Sequence, residues 1–335
     1  MSKKAQSTSR SVRVPIRVMV TGGSGQVGSE IRHRLQPEHR LIKNREVLDV
    51  RDRAAVLKQV KELRPSVIVN AAGITDESLY GLIDKDRQGT CHATNAIGAA
   101  NVFEACLRYD AAFIQLTPSS VFPTVKFTSL CSTPPWTESA VADGVSGHVA
   151  ASKLAAEHAI FRMLATTDKR VPFFIVRTSM LYERPWRSHN NFAYSFQSVY
   201  RSKPRNQQMV LSASAYRSFT YVPHLVDELM WLIKNVKEIP SGVYHIANPG
   251  CCSFFDFGEA LSRMIGVRGP TLIADTATEP QHRGATQEVS PLSVKPAFSC
   301  LSCQKWYKAT GRDDLPDWYD ALSDFSKCLM GDPDD

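Results

Sequence analysis

The feature that most constrains this chain is a strand-like run that ends in a glycine-rich turn and opens at once into a helical period. Residues 16–21, IRVMVT, are apolar and β-branched, and the run is short enough for a buried strand. It leads into GGSGQVGSEIRHRL, which carries the spacing Gly22-x-x-Gly25-x-x-Gly28. A Cβ at these glycines would block a tight turn and the approach of backbone N–H groups to a pyrophosphate. The helix that follows adds the positive potential of its N-terminus. Between a strand and a helix the spacing points to dinucleotide binding, the bland alternative being an ordinary glycine-rich turn.

The rest of the chain repeats this alternation. Strand-like runs near residues 39–43, 67–70, 112–117 and 173–177 are separated by helical periods near 54–63, 94–109 and 149–166. Short apolar runs alternating with helices predict an α/β protein with a doubly wound parallel sheet, of Rossmann type, covered on both faces. Beyond Met180 the pattern thins to a helix near 224–235, a strand at 242–246, a helix near 254–265, a long loop at 274–296 and a final helix near 317–329. With 335 residues the chain exceeds the ~250–300 at which single cores stop growing. Residues 1–13 are expected as a flexible basic tail, 14–180 as a dinucleotide-binding domain and 181–330 as a smaller lobe interwoven with the first.

Charge and cysteine content exclude several classes. The net charge of +7 is spread along the chain, and no nucleic-acid motif accompanies it. No run approaches the ~18 apolar residues of a membrane span, so a cytoplasmic protein is expected. The acid-free segment before Glu30, with Lys3, Lys4, Arg10, Arg13 and Arg17, keeps a mitochondrial destination open. The eight cysteines lack the spacing of a disulfide framework, and reduced thiols are expected. Cys300 and Cys303 form one CxxC with no second pair to complete a zinc set, so no metal is expected.

An NAD site places an acid at the end of the second strand, to bind the ribose hydroxyls. Here the stretch reads Lys43-Asn44-Arg45. Cations with no acid favour a 2′-phosphate, and hence NADP(H) over NAD(H), unless these are solvated surface charges. Asp49 and Val50 follow, where an acid can meet the adenine amino group or simply face solvent.

TGGSGQVG, VLDVRD, RPSVIVNAAGIT, TNAIGAANV, SVF, SKLAAE, VRTSMLY, RSFTYVPHL and KPAFSCLSCQKWYKATG, in this order, resemble the family of dTDP-4-dehydrorhamnose reductase, an extended short-chain dehydrogenase/reductase family. The resemblance runs from about residue 14 to 322. It implies NADP(H) or NAD(H) in the first lobe and a nucleotide-linked 4-keto-6-deoxy sugar against the second. The family also contains the regulatory β subunit of methionine adenosyltransferase, so a protein partner and a homo- or hetero-oligomer are implied as well. Carried over by position, Gly22, Gly25, Gln26, Val27 and Gly28 lie at the pyrophosphate and Asp49 with Val50 near adenine. Ala71, Ala72 and Gly73 line the inner edge of the cofactor, and Lys153 is the catalytic lysine that holds the nicotinamide ribose. Arg217 meets the diphosphate of the sugar nucleotide.

The chain departs from the family where proton transfer happens. A tyrosine four residues before the lysine, on the same helical face, is replaced by Val149. The serine or threonine three residues before the Val121-Phe122 pair is Pro118, flanked by Thr117, Ser119 and Ser120. Reduction of a ketone needs a proton for the developing alkoxide, and valine has none to give. Lys153 and Thr117 are the catalytic candidates that remain; His148 lies about 100° round the helix from the missing phenol. His224 stands where the family often has aspartate, and Phe298 where it has asparagine. Two functions stay open: a cofactor-binding relative with lost or altered catalysis and a regulatory or structural role, or an active NADPH-dependent reductase of a nucleotide-linked keto sugar.

Overall fold

The computed structural model describes residues 15–35, 48–75, 85–123, 125, 133–143, 147–183, 192–266, 268–276 and 298–330. The expected basic tail, the strand near 39–43, Asn44, Arg45, Trp186 and Cys131 lie outside them. Five strands, β1 (Val18–Thr21), β2 (Val67–Asn70), β3 (Ala112–Pro118), β4 (Phe173–Thr178) and β9 (Gly242–His245), pair in parallel in this order. Their sequences are continuous apolar runs because both faces are covered. Val18, Val20, Val69, Ile114 and Val176 pack against α1 (Gln26–Arg34) and α7 (Val222–Asn235). The alternate residues Met19, Ile68, Phe113 and Ile175 pack against α2 (Arg53–Leu63) and α4 (Gly98–Tyr109). Each such side chain, fully out of water, contributes about 1.5–3 kcal/mol.

Local chemistry sets the helix ends. Asp52 caps α2 by accepting the Ala55 N–H, and α2 and α4 end on left-handed residues, Arg64 and Asp110. The expected helix at 94–109 is interrupted. α3 (Lys85–His92) runs into a π-helical turn, Ala93–Ile97, before α4 begins. At Gly98 a Cβ would meet Val50 Cγ2 at 2.5 Å, so this glycine lets the helix close on the loop after residue 48.

α5 (His148–Ala165) follows β3 and packs over it. A second aromatic core, with Tyr182, Phe192, Phe196, Phe219, Phe257 and Phe325 at its centre, is built from the later elements. These are β5 (Leu181–Tyr182), α6 (Phe192–Ser202), β6 (Gln208–Ser212), β8 (Thr220–Tyr221), β10 (Cys252–Ser253), α8 (Phe254–Met264), β11 (Thr271–Asp275) and α10 (Trp318–Met330), while β7 (Tyr216–Arg217), β12 (Phe298–Ser299) and α9 (Gln304–Thr310) complete the later elements outside that cluster. The sequence also lends β9, α7 and Trp306 of α9 to the first core, so the two halves interlock.

Two expectations are corrected. Ala274 and Asp275 belong to β11, which pairs in parallel with β6, a non-local contact that periodicity does not reveal; residues 277–297 lie outside the described set. Cys251 and Cys300 are joined as a disulfide across 49 residues, against the expectation of reduced thiols. β10 and β12 both pair with β7, and that shared neighbour brings the two cysteines together. Among the described residues Cys91, Cys106, Cys252, Cys303 and Cys328 are buried and lie outside the bridge.

Candidate functional site

The glycine turn is shaped by steric necessity. Gly22 has φ of 64°, and a Cβ there would meet Ala71 O and Ala72 N, each at 2.5 Å. At Gly28 a Cβ would collide with the carbonyl of Gly22, so α1 rests directly on the turn. Gly25 donates its N–H to Gly22 O at 3.0 Å and is exposed at the helix N-cap, where no side chain caps the first turn. The free amides and the helix dipole therefore open outward. Val27 turns its side chain into the core and leaves only its backbone to a ligand. Gln26 Nε2 is enclosed and has no hydrogen-bond partner among the described residues.

The adenine-side candidates differ in availability. Val50 is buried against Gly98, and its carbonyl accepts a hydrogen bond from Asn101 Nδ2 at 3.0 Å. Asp49 is exposed and accepts three side-chain hydrogen bonds from Arg51, of 2.9, 3.0 and 2.7 Å. The Arg51 guanidinium lowers its carboxyl pKa below the ordinary value.

A row of polar groups crosses the carboxyl ends of β1, β2 and β3. Thr21 Oγ1 donates to Asn70 Oδ1 at 2.5 Å, Asn70 Nδ2 to Gln115 Oε1 at 2.7 Å, and Gln115 Nε2 to Leu116 O at 2.9 Å. The same carbonyl accepts Lys153 Nζ at 3.4 Å, and Thr21 Oγ1 accepts the Ala72 N–H. Ala71, Ala72, Gly73 and Lys153 thus converge beside the glycine turn. Lys153 is 3 % exposed, and a Cβ at Gly73 would meet its Nζ at 2.5 Å. Desolvation is the main influence and lowers its pKa to about 8, while the nearby Cys91 acts in the opposite sense.

Asn95 is a residue that sequence reasoning missed. From the π-helical turn its Oδ1 accepts the Ile74 N–H at 2.8 Å, and its Nδ2 donates to Ile74 O and Ser152 Oγ, each at 2.9 Å. It ties the loop after β2 to the residue preceding Lys153. Such turns recur at functional sites, yet the only sequence signal was an amide in a run of small residues.

The positions at which sequence reasoning looked for proton transfer are all described. Val149 is 4 % exposed, one turn before Lys153 on α5. His148 is exposed at the first residue of that helix. Thr117 is buried at the end of β3, and its Oγ1 has no partner among the described residues. Ser119, in the turn after β3, donates to Ser179 Oγ at 2.9 Å. In register beside Thr117 on the sheet lie Arg177 and His245, which sequence reasoning also missed. Arg177 forms a buried two-pronged bond with Glu157, at 3.1 and 2.6 Å, and stacks over Phe122. Burial foremost, then the neighbouring Arg177, lowers the pKa of His245 to about 3, so its ring stays neutral.

Arg217 belongs to a separate small sheet in which β7 lies between β10 and β12. It is 2 % exposed; NH1 bonds Tyr216 O, and NH2 is enclosed without a partner among the described residues. Burial lowers its pKa to about 9. His224 pairs with Asn248 and Asp324, and Phe298 is buried. Trp306 is core, while Trp136 stacks on Phe122. Among the described residues no cluster suits a metal, and no helix is long and apolar enough to cross a membrane.

The family model described as RmlD substrate binding domain matches residues 16–330. The dTDP-4-dehydrorhamnose reductase of Streptomyces griseus is 27 % identical over 321 residues, covering 94 % of each chain. The dTDP-4-dehydrorhamnose reductase of Bacillus anthracis, solved in complex with NADP, superposes with a TM-score of 0.75 at 24 % identity, over 93 % of this chain and 98 % of that one. Bordetella bronchiseptica WbmG, in complex with NAD and UDP, superposes with a TM-score of 0.70 at 16 % identity, over 94 % of each chain. With its parallel sheet, its glycine turn and a match along nearly all its length, the chain belongs to the RmlD substrate binding domain family.

Proposed function

We propose that this chain binds a nicotinamide adenine dinucleotide, NADP(H) in preference to NAD(H), and has lost the family's phenol-based ketone reduction in favour of a regulatory or structural role beside a protein partner. The observation that carries the reading is Val149, buried one turn from Lys153 where a phenol would have to stand. The residues present fit the cofactor. The turn at Gly22 and Gly28 has no room for a Cβ, the first turn of α1 is uncapped, and the enclosed Gln26 Nε2 has a donor to spare. When bound, the nicotinamide would supply hydride. Lys153 would hold its ribose, with Asn95 fixing the loop that faces it. Asn44 and Arg45 would meet a 2′-phosphate, and Arg217 would hold the diphosphate of a nucleotide-linked sugar.

A second reading, an active reductase of a nucleotide-linked 4-keto-6-deoxy sugar, is favoured by two groups. The Lys153 ammonium, with its pKa lowered to about 8, releases a proton more readily than an ordinary lysine. The Thr117 hydroxyl has no partner among the described residues. NADPH oxidation measured with a panel of nucleotide-linked 4-keto sugars separates the two. The first reading expects no turnover by the wild type and a gain of turnover in Val149→Tyr with Pro118→Thr. Robust wild-type turnover overturns it.

A further inference from the structure

Arg217 sits on a strand with little to hold it. β7 contributes two residues to its pairing with β10 and two to its pairing with β12. Ladders this short are marginal by themselves, and the segment needs other fastenings. Two lie at the same end. Ser218 Oγ donates to Gly250 O and accepts the Leu301 N–H, both at 3.1 Å. The Cys251–Cys300 bridge, with Cα atoms 5.8 Å apart, joins the neighbours of those two residues.

The bridge therefore clamps the strands on both sides of Arg217. The guanidinium is enclosed, stacks 5.8 Å over Phe254, and has no partner for NH2 among the described residues. Among the described residues no counter-charge meets this buried cation, which is costly, and an anionic ligand would relieve it. β12 also reaches the first site. Ser299 O accepts Ser179 Oγ at 3.3 Å, Ser179 accepts Ser119 in the turn after β3, and Cys300 O accepts the Trp136 N–H at 2.8 Å.

We propose that Cys251 and Cys300 form a reversible redox clasp: bridged, they hold β10 and β12 around Arg217 in the geometry that binds a nucleoside diphosphate, and as thiols they release it. The ligand class rests on the reading of Arg217 given under Proposed function. The chemistry is exchange with a dithiol. Its thiolate attacks one sulfur, the Cys251–Cys300 bond breaks, and the second thiol displaces the mixed disulfide. Two electrons and two protons pass to the cysteines while the dithiol becomes a disulfide; oxidised glutathione reverses the step. Cys251 is half-buried and Cys300 fully buried, so attack falls on the Cys251 sulfur.

The test uses the full chain, poised with dithiothreitol or with oxidised glutathione. Peptide mapping locates the bridge, calorimetry with thymidine diphosphate gives affinity, and hydrogen exchange follows residues 216–218 and 298–302. The oxidised protein is expected to show the Cys251–Cys300 peptide. Reduction is expected to weaken thymidine diphosphate binding about tenfold, within the usual range of coupling between a switch and a site, and to speed exchange in both segments. Cys251→Ser should behave like the reduced protein under either condition. A mapped bridge with equal affinity in the two states overturns the proposal, as does failure of the bridge to form. If thymidine diphosphate binds neither state, the assignment of Arg217 falls by itself. Exchange then decides on the clasp, and unchanged rates overturn it.

Discussion

Replacing Gly22 by alanine tests whether the turn is built by steric exclusion or merely by a tolerant residue. Gly22 has φ of 64°, and Gly266 has almost the same, 63°. A left-handed alanine costs about 1–2 kcal/mol at either position. Both substitutions also restrict the unfolded chain, which offsets about 0.4–1 kcal/mol in each. The difference lies in the surroundings: a Cβ at Gly22 meets two backbone atoms of the loop after β2 at 2.5 Å, whereas at Gly266 nothing among the described residues stands within 4 Å. Backbone cannot swing aside like a side chain, so overpacking adds about 1–3 kcal/mol at Gly22 only. Equilibrium urea unfolding of Gly22→Ala and Gly266→Ala, at matched m-values, should separate the two by that amount. NADPH affinity should fall in Gly22→Ala and hold in Gly266→Ala. Equal destabilisation of the two variants would refute the argument that contact with Ala71 and Ala72 shapes the turn.

The burial of Lys153 gives stability a pH dependence. The unfolded lysine keeps its proton up to its ordinary value of 10.5, whereas the folded one releases it above about 8. In that window the unfolded state binds more protons, so unfolding free energy should climb with pH, by up to ~3 kcal/mol from this group. Urea unfolding between pH 8 and 10 should show the climb in the wild type and lose it in Lys153→Met; a flat difference between the two would contradict the buried ammonium. Asn95→Ala removes two hydrogen bonds to the half-buried backbone of Ile74, and should cost about 1–3 kcal/mol. Hydrogen exchange at the Ile74 amide should rise with it, and unchanged protection there would remove Asn95 from the loop.

The central sheet was legible because its strands are continuous apolar runs and its turn needs glycine for reasons visible in one dimension. Lys153 and Val149 could be compared from sequence, since helical spacing fixes their common face. What stayed hidden depends on distant partners. Asn95 gains its meaning from a loop 21 residues away, and Arg177 sits inside a strand only because Glu157, 20 residues earlier, neutralises it. The two-residue strands β5, β7, β8, β10 and β12 are too short to show a period. The disulfide follows from them, because cysteines 49 residues apart become neighbours only through β7.

Fluorescence titration of the wild-type chain with NADPH asks most directly whether the phosphate cradle is functional. Saturable binding of one NADPH per chain, with weaker binding of NADH, is the expected result. A titration with no saturable component would contradict the account at its root.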